Sequence, residues 1–138
     1  MLQKASLFKK GQAMTVQEAI DKTDQIKPNA YTIEDKIGWL SNLDGQVYEE
    51  VIKRHDNYVE TEDNRFKGYT VENVDNDLII PFPYENVYID WLTAQIDLTN
   101  ADIGRYNNSI TSFYTEYNNF TNWYRREHMP TQKHGWRL

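Results

Sequence analysis

At 138 residues the chain is one domain by size, and with 39% hydrophobic residues it is poor in core material against a usual 45–50% or so. A mean hydropathy of −0.81 and apolar runs no longer than "LII" at 78–80 argue against a membrane span or a signal peptide. The absence of cysteine excludes disulfides and thiolate metal sites, which suits a reducing cytoplasm or a particle assembled in one. The net charge of −6 is uneven: residues 1–10 and 122–138 each carry +3, so the rest of the chain carries −12. A dedicated nucleic-acid binder would carry a basic stripe on its body, and this body is acidic.

The elements follow in chain order. Residues 1–14 form a flexible basic extension, with Met14 a candidate start. Thr15 with Glu18 three residues on is a capping box, and Val16, Ala19 and Ile20 share a face, so a short helix begins there and stops at Lys27-Pro28. Thr32 caps a second helix in "TIEDKIGWLSNLDGQVYEEVIKRH", whose Glu34 and Asp35 suit the positive end of the dipole. Ile37, Leu40, Leu43, Val47 and Val51 recur on it at spacings of three and four. Residues 56–77 hold seven acids, two bases and no helical period, which reads as an acidic loop or irregular hairpin. "DLIIPFP" is a short extended segment, with Pro83 near the first position of the next helix.

From Tyr84 onward one register dominates. Ile89, Leu92, Ile96, Thr99, Ile103, Tyr106, Ile110, Phe113, Tyr117, Phe120 and Tyr124 keep a three-four spacing, a heptad seam with Asn and Thr on its wet face. Because the register does not slip, one helix from Pro83 to about His128 is expected, kinked near Thr99 to Gly104, with a helical hairpin as the alternative. Such a helix is roughly 65–70 Å long, too long for a compact globule of this size, so something outside the chain should pack on it. The expected fold class is all-α: an elongated helical bundle with one long C-terminal helix, an irregular acidic loop and an extended C-terminal tail.

Chemistry is sparse. His55-Asp56 evokes a metal phosphohydrolase pair, but a helix-end histidine satisfied by its own backbone explains it better. Asp75 and Asp77 have the first spacing of a calcium loop without its glycine or next ligand. Glu49-Glu50 reads as a solvated face. No catalytic residue, metal ligand set or cofactor is expected, and the chain reads as a non-enzyme.

The stretches "TVQEAIDKTDQIKPNAYTIEDKIGWLSNLDGQVYEEVIKRH" and "PYENVYIDWLTAQIDLTNADIGRYNNSITSFYTEYNNFTNWYRREHMP" resemble the head-to-tail adaptor, or connector, proteins of long-tailed double-stranded DNA bacteriophages of Gram-positive bacteria. The resemblance spans residues 15–130. It implies a helical virion protein, assembled in the host cytoplasm, that sits in the neck as a ring of neighbouring copies, commonly twelve, under the portal protein. The ring extends the DNA channel toward the next neck or tail protein, and DNA passes without specific binding. Another neck or tail-completion protein, or a small helical DNA-binding protein, is the alternative. Residues 131–138, "TQKHGWRL", form the extended tail after Pro130. Portal or subunit contacts are expected from Arg125, Arg126, Lys133, His134, Trp136, Arg137 and Leu138, and the seam from Ile103, Tyr106, Ile110, Phe113, Tyr117, Phe120 and Tyr124 is expected to be core.

Overall fold

The computed structural model describes residues 13–55 and 58–128. It is mostly helical, with four α-helices and one two-stranded antiparallel sheet. Strand β1 (Ala13–Thr15) leads directly into α1 (Val16–Ile26), and the capping box is formed: Glu18 N–H donates to Thr15 Oγ1 and Thr15 N–H to Glu18 Oε1. Strand β2 (Asp77–Pro81) pairs with β1, Ala13 opposite Pro81 and Thr15 opposite Asp77 across an irregular register. The segment before β2 serves α1 as well. The amides of Val16 and Gln17, which a helix start leaves without internal acceptors, donate to the carbonyls of Asn76 and Val74.

The strand β1 is a departure from the expected extension over residues 1–14. Ala13 and Met14 belong to the folded domain, and Met14 is buried in its core. Residues 1–12 and 129–138, and with them the rest of the extension and the whole tail, lie outside the described residues.

Helix α2 (Ile33–Val47) starts at Thr32, whose hydroxyl accepts from Asp35 N–H, and runs on as one π turn over Tyr48–Ile52. Its apolar face, Ile37, Leu40, Leu43, Val47 and Val51, is buried as the spacing predicts. Residues 58–76 are irregular apart from a 3-10 turn at Val71–Asn73, and no hairpin forms there. They are nevertheless pinned. Tyr69 N–H donates to Ser41 Oγ at 2.8 Å, Tyr48 and Tyr58 hydroxyls meet at 2.9 Å, and Glu60 pairs with both Lys53 and Arg65.

Helix α3 (Asn86–Thr99) and helix α4 (Ile103–Glu127) correct the expected continuous C-terminal helix: they are two helices packed antiparallel. Trp91 meets Phe113, Tyr84 meets Phe120, and Ser109 reaches back to Asp97. The reversal is a Schellman motif. Asp102 N–H donates to Asp97 C=O and Ala101 N–H to Leu98 C=O, both at 2.9 Å, with Ala101 left-handed at φ 60°. Asp102 then caps α4 by accepting from Arg105 N–H. Ile103, expected in the seam, is instead 56% exposed at the outside of the turn. Helix α3 also starts later than Pro83 suggests, after a turn through residues 82–85.

One core joins these elements. Val16, Ala19 and Ile20 of α1, the α2 face, Leu78 and Ile80 of β2, and Val87, Tyr88, Ile89 and Leu92 of α3 meet Phe113 and Phe120 of α4. Two ion pairs fasten the helix ends. Lys36 bonds both oxygens of Asp24, and Lys27 reaches the buried Asp97 at 2.8 Å.

Candidate functional site

Of the expected contact residues, only Arg125 and Arg126 fall among the described ones. Both are exposed in the last turn of α4, where the negative end of the helix dipole suits them, and Arg125 donates to Asn122 Oδ1. Lys133, His134, Trp136, Arg137 and Leu138 lie outside. Of the seam residues, Phe113 and Phe120 are buried, Ile110, Tyr117 and Tyr124 are half-buried against the core, and Tyr106 is half-buried away from it.

Arg125 also lines a groove of about 450 Å³ between the end of α2 and α4. The π turn helps to build it. Val47, Val51 and His55 are spaced by four, and each such step drifts about 40° around an α-helix. The wider turn accompanies the placing of Val51 and His55 on the groove beside α4. One wall is Glu50, Val51, Arg54 and His55; the other is Tyr117, Asn118, Thr121 and Arg125. His55 Nδ1 lies 2.6 Å from Val51 C=O, the satisfied helix-end arrangement that the sequence suggests. Its ring stands edge-on to Tyr124, 4.6 Å away, and Tyr124 stacks on His128 at 3.9 Å. Among the described residues, no three His, Cys, Asp or Glu side chains cluster closely enough to hold a metal ion. Glu49 and Glu50 are exposed, Glu49 paired to Lys53.

Tyr117, which lines the groove, carries an unusual group. Its ring stacks on Phe113, and its hydroxyl is buried with no hydrogen-bond partner. Burial, then the charges of Glu50 and Asp44, push this phenol up to about 12, so it stays a neutral donor at all ordinary pH.

A second polar centre was not singled out from the sequence. Asp44 is fully buried on α2 and accepts from Tyr69 Oη at 2.5 Å, Tyr88 Oη at 2.7 Å and Ile79 N–H at 3.1 Å, while Tyr88 Oη accepts from Ile80 N–H. Burial pushes the Asp44 carboxyl up to about 6 in spite of these donors. The signal was present: Leu40, Leu43, Val47 and Val51 place position 44 on the apolar face, where an aspartate must find partners. The network ties β2 and the loop to α2, and Asp44 and Tyr88 at its centre are fully buried, so its part is structural.

No family model, curated protein or solved structure matches this chain. Among the described residues, no helix is long and apolar enough to cross a membrane.

Proposed function

We propose that the chain is a structural virion protein, the head-to-tail adaptor of a long-tailed double-stranded DNA bacteriophage. In this reading copies of it close into a ring under the portal protein, the bundle stands elongated along the channel, and DNA passes through without specific binding. The observation that carries the reading is the outer face of α4. Of its 25 residues only Phe113 and Phe120 are buried, and across residues 106–124 Glu116 is the sole charged side chain.

An exposed helix that faced only water would ordinarily carry charge, whereas interface cores are depleted in it and enriched in Tyr. Tyr114 stands 54% exposed on this face. The hydroxyls of Thr111 and Thr115 bond the carbonyls of Asn107 and Thr111 within the helix itself, so a neighbour could cover them without stranding a donor. A ring needs such a heterologous surface, repeated until it closes. The acidic body suits a channel wall that repels phosphate.

The test is negative-stain imaging and mass photometry of the purified protein, alone and with its portal protein. Rings or a portal extension are expected, and Tyr114→Glu should abolish them while leaving the melting temperature unchanged. Deleting residues 131–138 should release the ring from the portal without melting the domain. A protein that stays monomeric in both conditions overturns the proposal, and salt-sensitive binding to duplex DNA would favour the DNA-binding reading instead.

A further inference from the structure

We propose that the groove between the end of α2 and α4 is a receptor for the carboxylate side chains of an acidic peptide segment on a partner protein. The argument starts from the balance of donors and acceptors. Arg54 and Arg125 bring guanidinium groups from opposite walls, Asn118 an amide and Tyr117 a phenol, while the Thr121 hydroxyl already donates to Asn118 C=O. Neither arginine makes an ion pair among the described residues, although most other bases near the loop do. Against these donors the groove offers one charged acceptor, Glu50, which is exposed.

The Tyr117 hydroxyl makes the case sharper. A buried hydroxyl without a partner costs about 1–3 kcal/mol, and protein interiors rarely leave one so. Here the Tyr117 ring lines the groove while its hydroxyl has almost no exposed surface, so an entering acceptor reaches it only by shifting the ring. The ligand must therefore accept hydrogen bonds and carry negative charge.

One feature selects a carboxylate over a phosphate. Glu50 reduces the formal charge of the groove from two positive to one, which balances one side-chain carboxylate of the segment at a time and leaves the second charge of a phosphate dianion unbalanced. Arginine forks bind a carboxylate in a bidentate manner, as they do a phosphate, at the strength of a charge-assisted bond. The volume of about 450 Å³ is in the range of sites that hold a ligand of several groups, so a peptide segment fits better than a lone ion. The site stands whether or not the chain forms rings, because the groove is complete within one copy.

The test uses the whole chain labelled with 15N and an N-acetyl, C-amide tetraglutamate peptide as probe, with inorganic phosphate and a short DNA duplex as the other arms. At low ionic strength the peptide should saturate shifts at Asn118, Thr121 and the Arg125 Nε. Arg54→Ala and Arg125→Ala should each weaken it at least tenfold, while Lys22→Ala, an exposed base on α1, should not. Tyr117→Phe is the discriminating variant. Removing a hydroxyl that has no internal partner should leave the melting temperature unchanged or raised, yet weaken the peptide about fivefold, the value of one ordinary hydrogen bond. Phosphate or duplex binding as strongly at the same resonances, an equal loss in Lys22→Ala, or unchanged affinity in Tyr117→Phe would each overturn the assignment.

Discussion

Replacing Asp44 by Asn should reverse the sign of its effect between acid and alkaline pH. Folded Asp44 holds its proton up to about pH 6, against an ordinary value of 3.8. The fold therefore binds that proton more tightly than the unfolded chain does. The associated stability is complete below about pH 4 and is lost as pH rises through 6. At about 1.4 kcal/mol per unit the loss amounts to about 3 kcal/mol by pH 8. Asparagine never ionises and escapes this loss. It has one acceptor oxygen in place of two, however, while Tyr69, Tyr88 and Ile79 all donate to position 44. At least one buried donor is then stranded, at about 1–3 kcal/mol. The variant should be less stable than the parent by about that amount at pH 4. At pH 8 it should be equal or up to about 2 kcal/mol more stable. Urea unfolding followed by circular dichroism at the two pH values reads the difference directly. A penalty of the same size at both would mean that Asp44 ionises freely in the fold, and the argument from its burial would be wrong.

Three further outcomes are expected. Phe113→Ala and Phe120→Ala, which empty positions 3% and 1% exposed, should each cost about 3–5 kcal/mol in chemical denaturation; a cost below about 1 kcal/mol would mean that α4 is not packed on the core. Ala101→Gly should stabilise by about 0.5–1 kcal/mol, because a left-handed Ala is strained by about 1–2 kcal/mol and the added chain entropy of Gly returns part of that; a destabilised variant would argue against the Schellman turn. Asp90 on α3 is pushed up to about 6 by burial and then by Glu116 across the hairpin, so Asp90→Asn should raise the unfolding free energy in urea at pH 8 and not at pH 4, by under about 1 kcal/mol since solvent screens a half-buried pair.

The helix starts were legible because caps are local chemistry. Thr15 with Glu18, and Thr32 with Asp35, satisfy amides within three residues and need no knowledge of the rest of the fold. The α2 face was legible for the same reason. The hairpin was not. Two helices that face each other each need an apolar stripe, and one long helix facing a partner needs the same stripe, so the unbroken spacing from Ile89 to Tyr124 fits both. The local signal that could have decided between them was weak, since the left-handed position holds Ala101 where a glycine would have marked the turn, and the nearby Gly104 lies inside α4. Strand β1 escaped because Ala13–Thr15 is three residues long and earns its place only by pairing with a segment more than sixty positions away. The groove escaped because its walls come from 50–55 and 117–125, and nothing in either stretch alone points at the other.

The hairpin also changes the ground on which an assembly partner is inferred. A 65–70 Å helix would have demanded one by length alone, since no single small domain can cover it. Helix α4, with 25 residues, is only about 37 Å long and lies along α3, so length no longer argues for anything. What remains is a matter of composition. Asparagine and threonine weaken a helix, and a surface that met only water would gain solubility from Lys or Glu at those positions with better helix propensity as well. Nineteen residues with the single charge of Glu116 forgo both gains. A contact that buries the face supplies the compensating reason, because a covered charge must be paired or desolvated at a cost while a Thr bonded to its own helix need not be. The case for neighbouring copies on α4 therefore rests on the charges it lacks, and Tyr114→Glu, which restores one, is the substitution that most directly opposes it.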